Sequence, residues 1–139
     1  MKVRDVMHKG AEWISPQTPL SKVAQLMKDL DIGALPVGEN DRLVGMVTDR
    51  DITCRAIAGS QDVSKMTAQN VMSKGIVYCT AEEELEDALR LMETKKIRRL
   101  PVIDGKKRMV GMLSLGDVSH AAPLNVSGEV ITAVSAHHA

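Results

Sequence analysis

The chain has 139 residues, 44% hydrophobic and 26% charged, and its 18 basic and 18 acidic residues cancel. That length suits one compact domain, or two small ones sharing a core. A neutral total advertises no broad basic face for nucleic acid or an anionic membrane, and with no Phe, one Trp and one Tyr the rings that stack single-stranded bases are missing.

The N-terminal stretch Met1-Lys2-Val3-Arg4-Asp5 lacks the apolar core of a signal peptide, and no apolar run approaches a membrane span. The cytoplasm is the expected location. A short helix is predicted over residues 3–7 and a short strand over 13–15. Thr18 before Pro19 reads as the N-cap and first-turn proline of a longer helix. Its Leu20, Val23, Ala24, Met27 and Leu30 recur at spacings of three and four, one amphipathic face. Two strands follow, over 34–37 and 43–47, joined by a turn rich in Gly, Asn and Asp. The second runs into Gly45-Met46-Val47-Thr48-Asp49-Arg50-Asp51, where a closing helix begins. Gly59-Ser60-Gln61-Asp62 is a polar linker.

The same plan then starts again. Shifted by 65 residues, Val6-Met7 falls on Val71-Met72, Lys9-Gly10 on Lys74-Gly75 and Leu20 on Leu85. Leu26-Met27 falls on Leu91-Met92, Ile32 on Ile97, and Leu35-Pro36-Val37 on Leu100-Pro101-Val102. One extra residue near Arg108 moves the offset to 66, and Arg42, Val44, Gly45, Met46 and Asp51 then match Arg108, Val110, Gly111, Met112 and Asp117. The chain is a tandem duplication. Its second copy predicts a helix over 68–72, a strand over 77–80, a helix carrying Leu85, Ala88, Leu89 and Met92, and strands over 99–103 and 109–113. The expected organisation is a first repeat over 1–58, a linker over 59–66, a second repeat over 67–122 and a tail over 123–139. That tail reads as a last helix with Val126, Val130, Ile131 and Val134 on one side.

The chemistry lies at the twice-written bend. Thr48 with Asp51, and Ser114 with Asp117, each put a hydroxyl at a helix start and a carboxylate one turn in. Backbone amides left unpaired at such a start favour an anion, and the carboxylate can accept the paired hydroxyls of a ribose. A hydroxyl residue followed three positions later by an acid is also a helix capping box, and a duplication copies a cap as readily as a site. The two readings are compatible.

With its doubled Gly-x-x-Thr/Ser-x-x-Asp bends and Leu-Pro-Val strands, the chain resembles the cystathionine-beta-synthase (CBS) domain pair, or Bateman module, of the small stand-alone bacterial type. The similarity covers residues 3–122. It implies an α/β fold of tandem repeats, each strand–helix–strand–strand–helix, packed with pseudo-twofold symmetry around two clefts. Such clefts hold adenosine ligands: AMP, ADP, ATP, NAD or S-adenosylmethionine. The resemblance puts Asp51 and Asp117 on ribose hydroxyls, Thr48 and Ser114 near phosphate, and Arg98 and Arg99 on phosphate, with Arg50 a weaker candidate. The base is expected between strand residues near Ser15, Ala34 and Thr80. The first repeat has Gly33-Ala34 where the second has its arginine pair, so the clefts are expected to be unequal. The bland reading of Arg98-Arg99 is a solvated pair. The implied function is a regulatory nucleotide sensor without enzymatic activity, a homodimer acting on an unidentified enzyme or transporter. The alternative is an interaction module with vestigial clefts.

Other residues read as structural. Cys54 and Cys79 are isolated, and are expected reduced and mostly buried. His8, His120, His137 and His138 make no metal-ligand pattern. Glu82-Glu83-Glu84 lies where a helix start favours negative charge, and Met27, Met92, Met46 and Met112 read as core filling.

Overall fold

In a computed structural model the described residues are 1–10, 12–121 and 124–135, apart from the Val126 side chain. Both amphipathic helices form, α2 over Leu20–Leu30 and α5 over Leu85–Lys95. In α5 the whole expected face is buried: Leu85, Ala88, Leu89 and Met92. In α2 only Leu20, Val23 and Met27 are. Ala24 is exposed, and Leu30 is 42% exposed at the last residue, where the chain turns away through Asp31 in the left-handed conformation.

The chain divides into two compact units, residues 1–11 with 77–139, and residues 12–76. In the first unit, β1 (His8–Lys9), β6 (Met109–Ser114), β5 (Arg99–Ile103) and β4 (Cys79–Thr80) form a sheet in that order. In the second, β2 (Ala34–Glu39) pairs with β3 (Arg42–Thr48), and single-residue bridges flank the pair, Ser73 on Met46 and Ile14 on Val37. The strand expected over 13–15 is therefore one bridging residue, and that over 77–80 shortens to Cys79–Thr80. A bulge leaves Val44 and Val110 unopposed at matching places. The β2–β3 hairpin turns on Asn40 and Asp41, both at positive φ. In the β5–β6 loop Asp104 accepts the amides of Lys106 (2.8 Å) and Arg108 (3.0 Å). The Arg108 amide does most to hold its carboxyl below the usual range.

Sequence repeats and compact units are cut differently, because the leading segments are exchanged. Helix α1 (Val3–Val6) docks on the second repeat, with Val3 N–H on the Glu83 carbonyl and Leu85 N–H on the Met1 carbonyl. Helix α4 (Ala68–Val71) does the same on the first, with Ala68 N–H on the Thr18 carbonyl and Leu20 N–H on the Met66 carbonyl. This corrects the expected cap of α2. Pro19 holds the cap position without a side-chain bond, because the Met66 carbonyl, a backbone group from the exchanged segment, meets the first helical amide.

That exchange explains the repeated glycine. A Cβ on Gly111 would stand 2.5 Å from the His8 carbonyl oxygen, and one on Gly45 would stand 2.7 Å from Met72 Sδ and 3.1 Å from the Ser73 carbonyl. Each glycine is the flat spot on which the exchanged segment lies.

Each unit has its own core. Leu20, Val23, Met27, Leu35, Val37 and Val47 pack with Met66, Ala68 and Val71 of the exchanged segment. Leu85, Leu89, Met92, Leu100, Val102 and Leu113 pack with Val3. The first unit also takes Val130 and Val134 from α7 (Leu124–Ser135), the predicted tail helix. Ile131 of that helix is 45% exposed, and His137 and His138 lie outside the described residues.

The acidic run at α5 pairs with the N-terminus. Arg4 Nη1 meets both Glu82 carboxylate oxygens at 3.0 Å, and Glu84 faces the terminal amine and Lys2. Cys79 is buried, and burial, reinforced by the Glu83 charge, pushes its thiol up to about 12. Cys54, expected mostly buried, is exposed: it falls on the outer side of the wide turn Ile52–Ile57.

Candidate functional site

Strand β3 ends at Thr48 and the closing helix starts with α3 (Asp49–Asp51), which widens into a π-helical turn, Ile52–Ile57. The Thr48 amide donates to Asp51 Oδ2 at 2.9 Å, and the Asp51 amide donates to Thr48 Oγ1 at 3.1 Å. Strand β6 ends at Ser114, before α6 (Leu115–Ala121), in the same way. The Ser114 amide and hydroxyl donate to Asp117 Oδ2 at 2.9 and 3.0 Å, and the Asp117 amide returns a bond to Ser114 Oγ at 3.2 Å. Both bends are therefore capping boxes. Each cap uses one carboxylate oxygen, Oδ2, leaving Oδ1 for something else.

Sheet register decides what stands beside each corner. Arg99 pairs with Ser114 across β5 and β6, and the Arg98 carbonyl accepts the Leu115 amide at 3.1 Å. Both arginines are exposed. At the other corner Ala34 pairs with Thr48 and the Gly33 carbonyl accepts the Asp49 amide at 2.9 Å, so the Gly33-Ala34 substitution lies at the matching place. Ala34 is buried. Arg50 is exposed on the first helix, where the second has Gly116.

Ser15 and Thr80 are not brought to these corners within their own units. Thr80 pairs with Ile103, four residues along β5 from Arg99, which is about 13 Å at strand rise. Ser15 follows Ile14, whose partner on β2 is Val37, three residues along the strand from Ala34. Its hydroxyl accepts the Gln17 amide at 3.0 Å.

One residue escaped the sequence reading. Arg55, a turn beyond Asp51, brings Nε to 3.8 Å from Asp51 Oδ1, and its Nη1 donates to the carbonyls of Val71 (3.0 Å) and Met72 (3.3 Å). The spacing of four from Asp51 was its signal. The reason to weigh it, the exchanged α4 beneath it, is not local in sequence. Among the described residues no three His, Cys, Asp or Glu side chains gather closely enough to hold a metal ion, and no helix is long and apolar enough to cross a membrane.

Comparison with known proteins finds the CBS domain model matching residues 3–55 and again 68–123. Hypoxic response protein 1 of Mycobacterium tuberculosis is 35% identical over 132 residues, covering 94% of this chain and 92% of its own length. The CBS domain-containing protein YhcV of Bacillus subtilis is 38% identical over 134 residues, covering 96% and 94%. The crystal structure of Hypoxic Response Protein I, with two coordinated zinc ions, superposes at a TM-score of 0.79 with 36% identity, covering 88% of this chain and 100% of that one. CBSX2 of Arabidopsis thaliana, solved in complex with AMP, superposes at 0.76 with 30% identity, covering 87% and 95%.

Proposed function

The chain belongs to the CBS-domain family, and from that premise we propose that it is a regulatory adenosine-nucleotide sensor. One observation carries the reading. Asp117 holds its corner through Oδ2, no group among the described residues donates to Oδ1, and Arg98 and Arg99 flank the same corner. A ribose diol donating to Oδ1 would leave the cap intact, and guanidinium forks suit phosphate oxygens. The binding of AMP by CBSX2 supports the ligand class. The candidates are AMP, ADP, ATP, NAD and S-adenosylmethionine.

The ligand acts by binding one conformation or assembly better than another, since equal affinity shifts nothing. The proposal includes a homodimer, for which exposed Leu30, Ile32 and Ile57 supply apolar surface, a regulated enzyme or transporter as target, and a cytoplasmic setting. No catalytic step is assigned to it.

A thermal-shift panel of the five ligands tests the reading, followed by calorimetry on Asp117→Ala. At least one ligand raises the melting temperature, and the substitution weakens its binding by about 1–3 kcal/mol, roughly ten- to a hundredfold, through lost hydrogen bonds to a charged acceptor. A panel that moves nothing sinks the sensor and leaves the interaction module.

A further inference from the structure

The two corners are built alike and finished differently. At Asp117 no donor among the described residues faces Oδ1, and the residue 66 positions on from Arg55 is Ala121. At Asp51 the same oxygen lies 3.8 Å from the Arg55 guanidinium, and the Asp51 side chain is only 14% exposed. The Arg55 side chain is half exposed but tethered. Its Nη1 donates to the Val71 and Met72 carbonyls at the end of α4, where a cation is favoured. The guanidinium that faces Asp51 is thus held from its other end by those carbonyls.

We infer that Arg55 fills, from within the protein, the place a ribose diol would take at Asp51, so that the first corner is closed to nucleotides and the second alone senses them. The inference rests on the nucleotide reading above. At Asp117 an incoming diol displaces water. At Asp51 it has to displace a full positive charge that is anchored elsewhere.

Titration calorimetry with AMP and with ATP, on the full chain and on Asp51→Asn, Asp117→Asn and Arg55→Gln variants, tests it. Asparagine preserves the cap, as Asn70 shows by accepting the Thr67 amide at 2.8 Å in the same kind of box. Glutamine at position 55 removes the charge and, ending where the arginine Nε lies, no longer reaches the Val71 and Met72 carbonyls. The unmodified chain binds one equivalent. Asp117→Asn weakens it about tenfold or more, and Asp51→Asn changes it by less than about twofold. Arg55→Gln gains a second equivalent, which disappears when Asp51→Asn is added. Two equivalents in the unmodified chain, equal losses from the two aspartate variants, or a single equivalent in Arg55→Gln overturn the inference and leave the sensor standing. Binding by none of the four proteins overturns both.

Discussion

Replacing Gly111 with alanine puts a methyl group 2.5 Å from the His8 carbonyl oxygen and 3.1 Å from Met7 Sδ. The oxygen belongs to the backbone of β1, which is paired with β6 at His8–Met112 and Lys9–Gly111. Relief therefore means backing a whole strand away, not turning a side chain. Overpacking of this kind costs about 1–3 kcal/mol, and weakening a ladder bond adds about 1 kcal/mol, so Gly111→Ala should destabilise by about 2–4 kcal/mol. Gly45→Ala meets a flexible Met72 side chain and a carbonyl at 3.1 Å, and should cost about 1 kcal/mol. Gly128, inside α7, has nothing within 4 Å of an added Cβ, so Gly128→Ala should stabilise by about 1 kcal/mol through helix propensity. Urea denaturation followed by circular dichroism measures all three. Gly111→Ala no less stable than Gly128→Ala would refute the account of the repeated glycine as a docking surface.

Thr48→Ala should cost about 1 kcal/mol in the same assay, by removing the oxygen that accepts the Asp51 amide. Lys96 ends α5 at a φ of 55°, and Lys96→Gly should gain about 0.5–1 kcal/mol by relieving the left-handed strain; an unchanged urea midpoint would count against it. The Cys79 thiol keeps its proton in the folded state to about 12, against 9.0 in an unfolded chain. Between those values the unfolded chain binds fewer protons, so stability is full below the lower one and falls by about 1.4 kcal/mol per pH unit above it. Comparing urea midpoints of the native chain and Cys79→Ala from pH 8 to 10.5 isolates that slope, and parallel curves would contradict it.

Much of the architecture was legible because it is local. The spacing of Leu85, Ala88, Leu89 and Met92 predicts a buried face, and all four are buried. The doubled Thr48/Asp51 and Ser114/Asp117 patterns predict two matching bends, and both form with the same reciprocal bonds. What stayed hidden depends on partners distant in sequence. The Met66 carbonyl that meets the first amide of α2, displacing Thr18 from its expected role, comes from a segment whose near-copy sits at the N-terminus. Local pattern cannot say which copy docks on which body when both present the same face. Arg55 was missed for the same reason, because its anchors Val71 and Met72 lie on an exchanged helix. Cys54 was misjudged because composition speaks for cysteines in general, and the outward side of a π-helical turn is set by geometry alone.

The exchange also sets an order of assembly. Residues 12–76 run unbroken through one unit, while the other is stitched from the two ends of the chain. During synthesis the inner unit has all its parts once residue 76 has emerged, and it can close at once, as units made of nearby residues do. The first ten residues, translated ahead of the inner unit, must wait for β6 to be made before their strand has a neighbour. A segment made ahead of the inner unit thus settles only after that unit is complete.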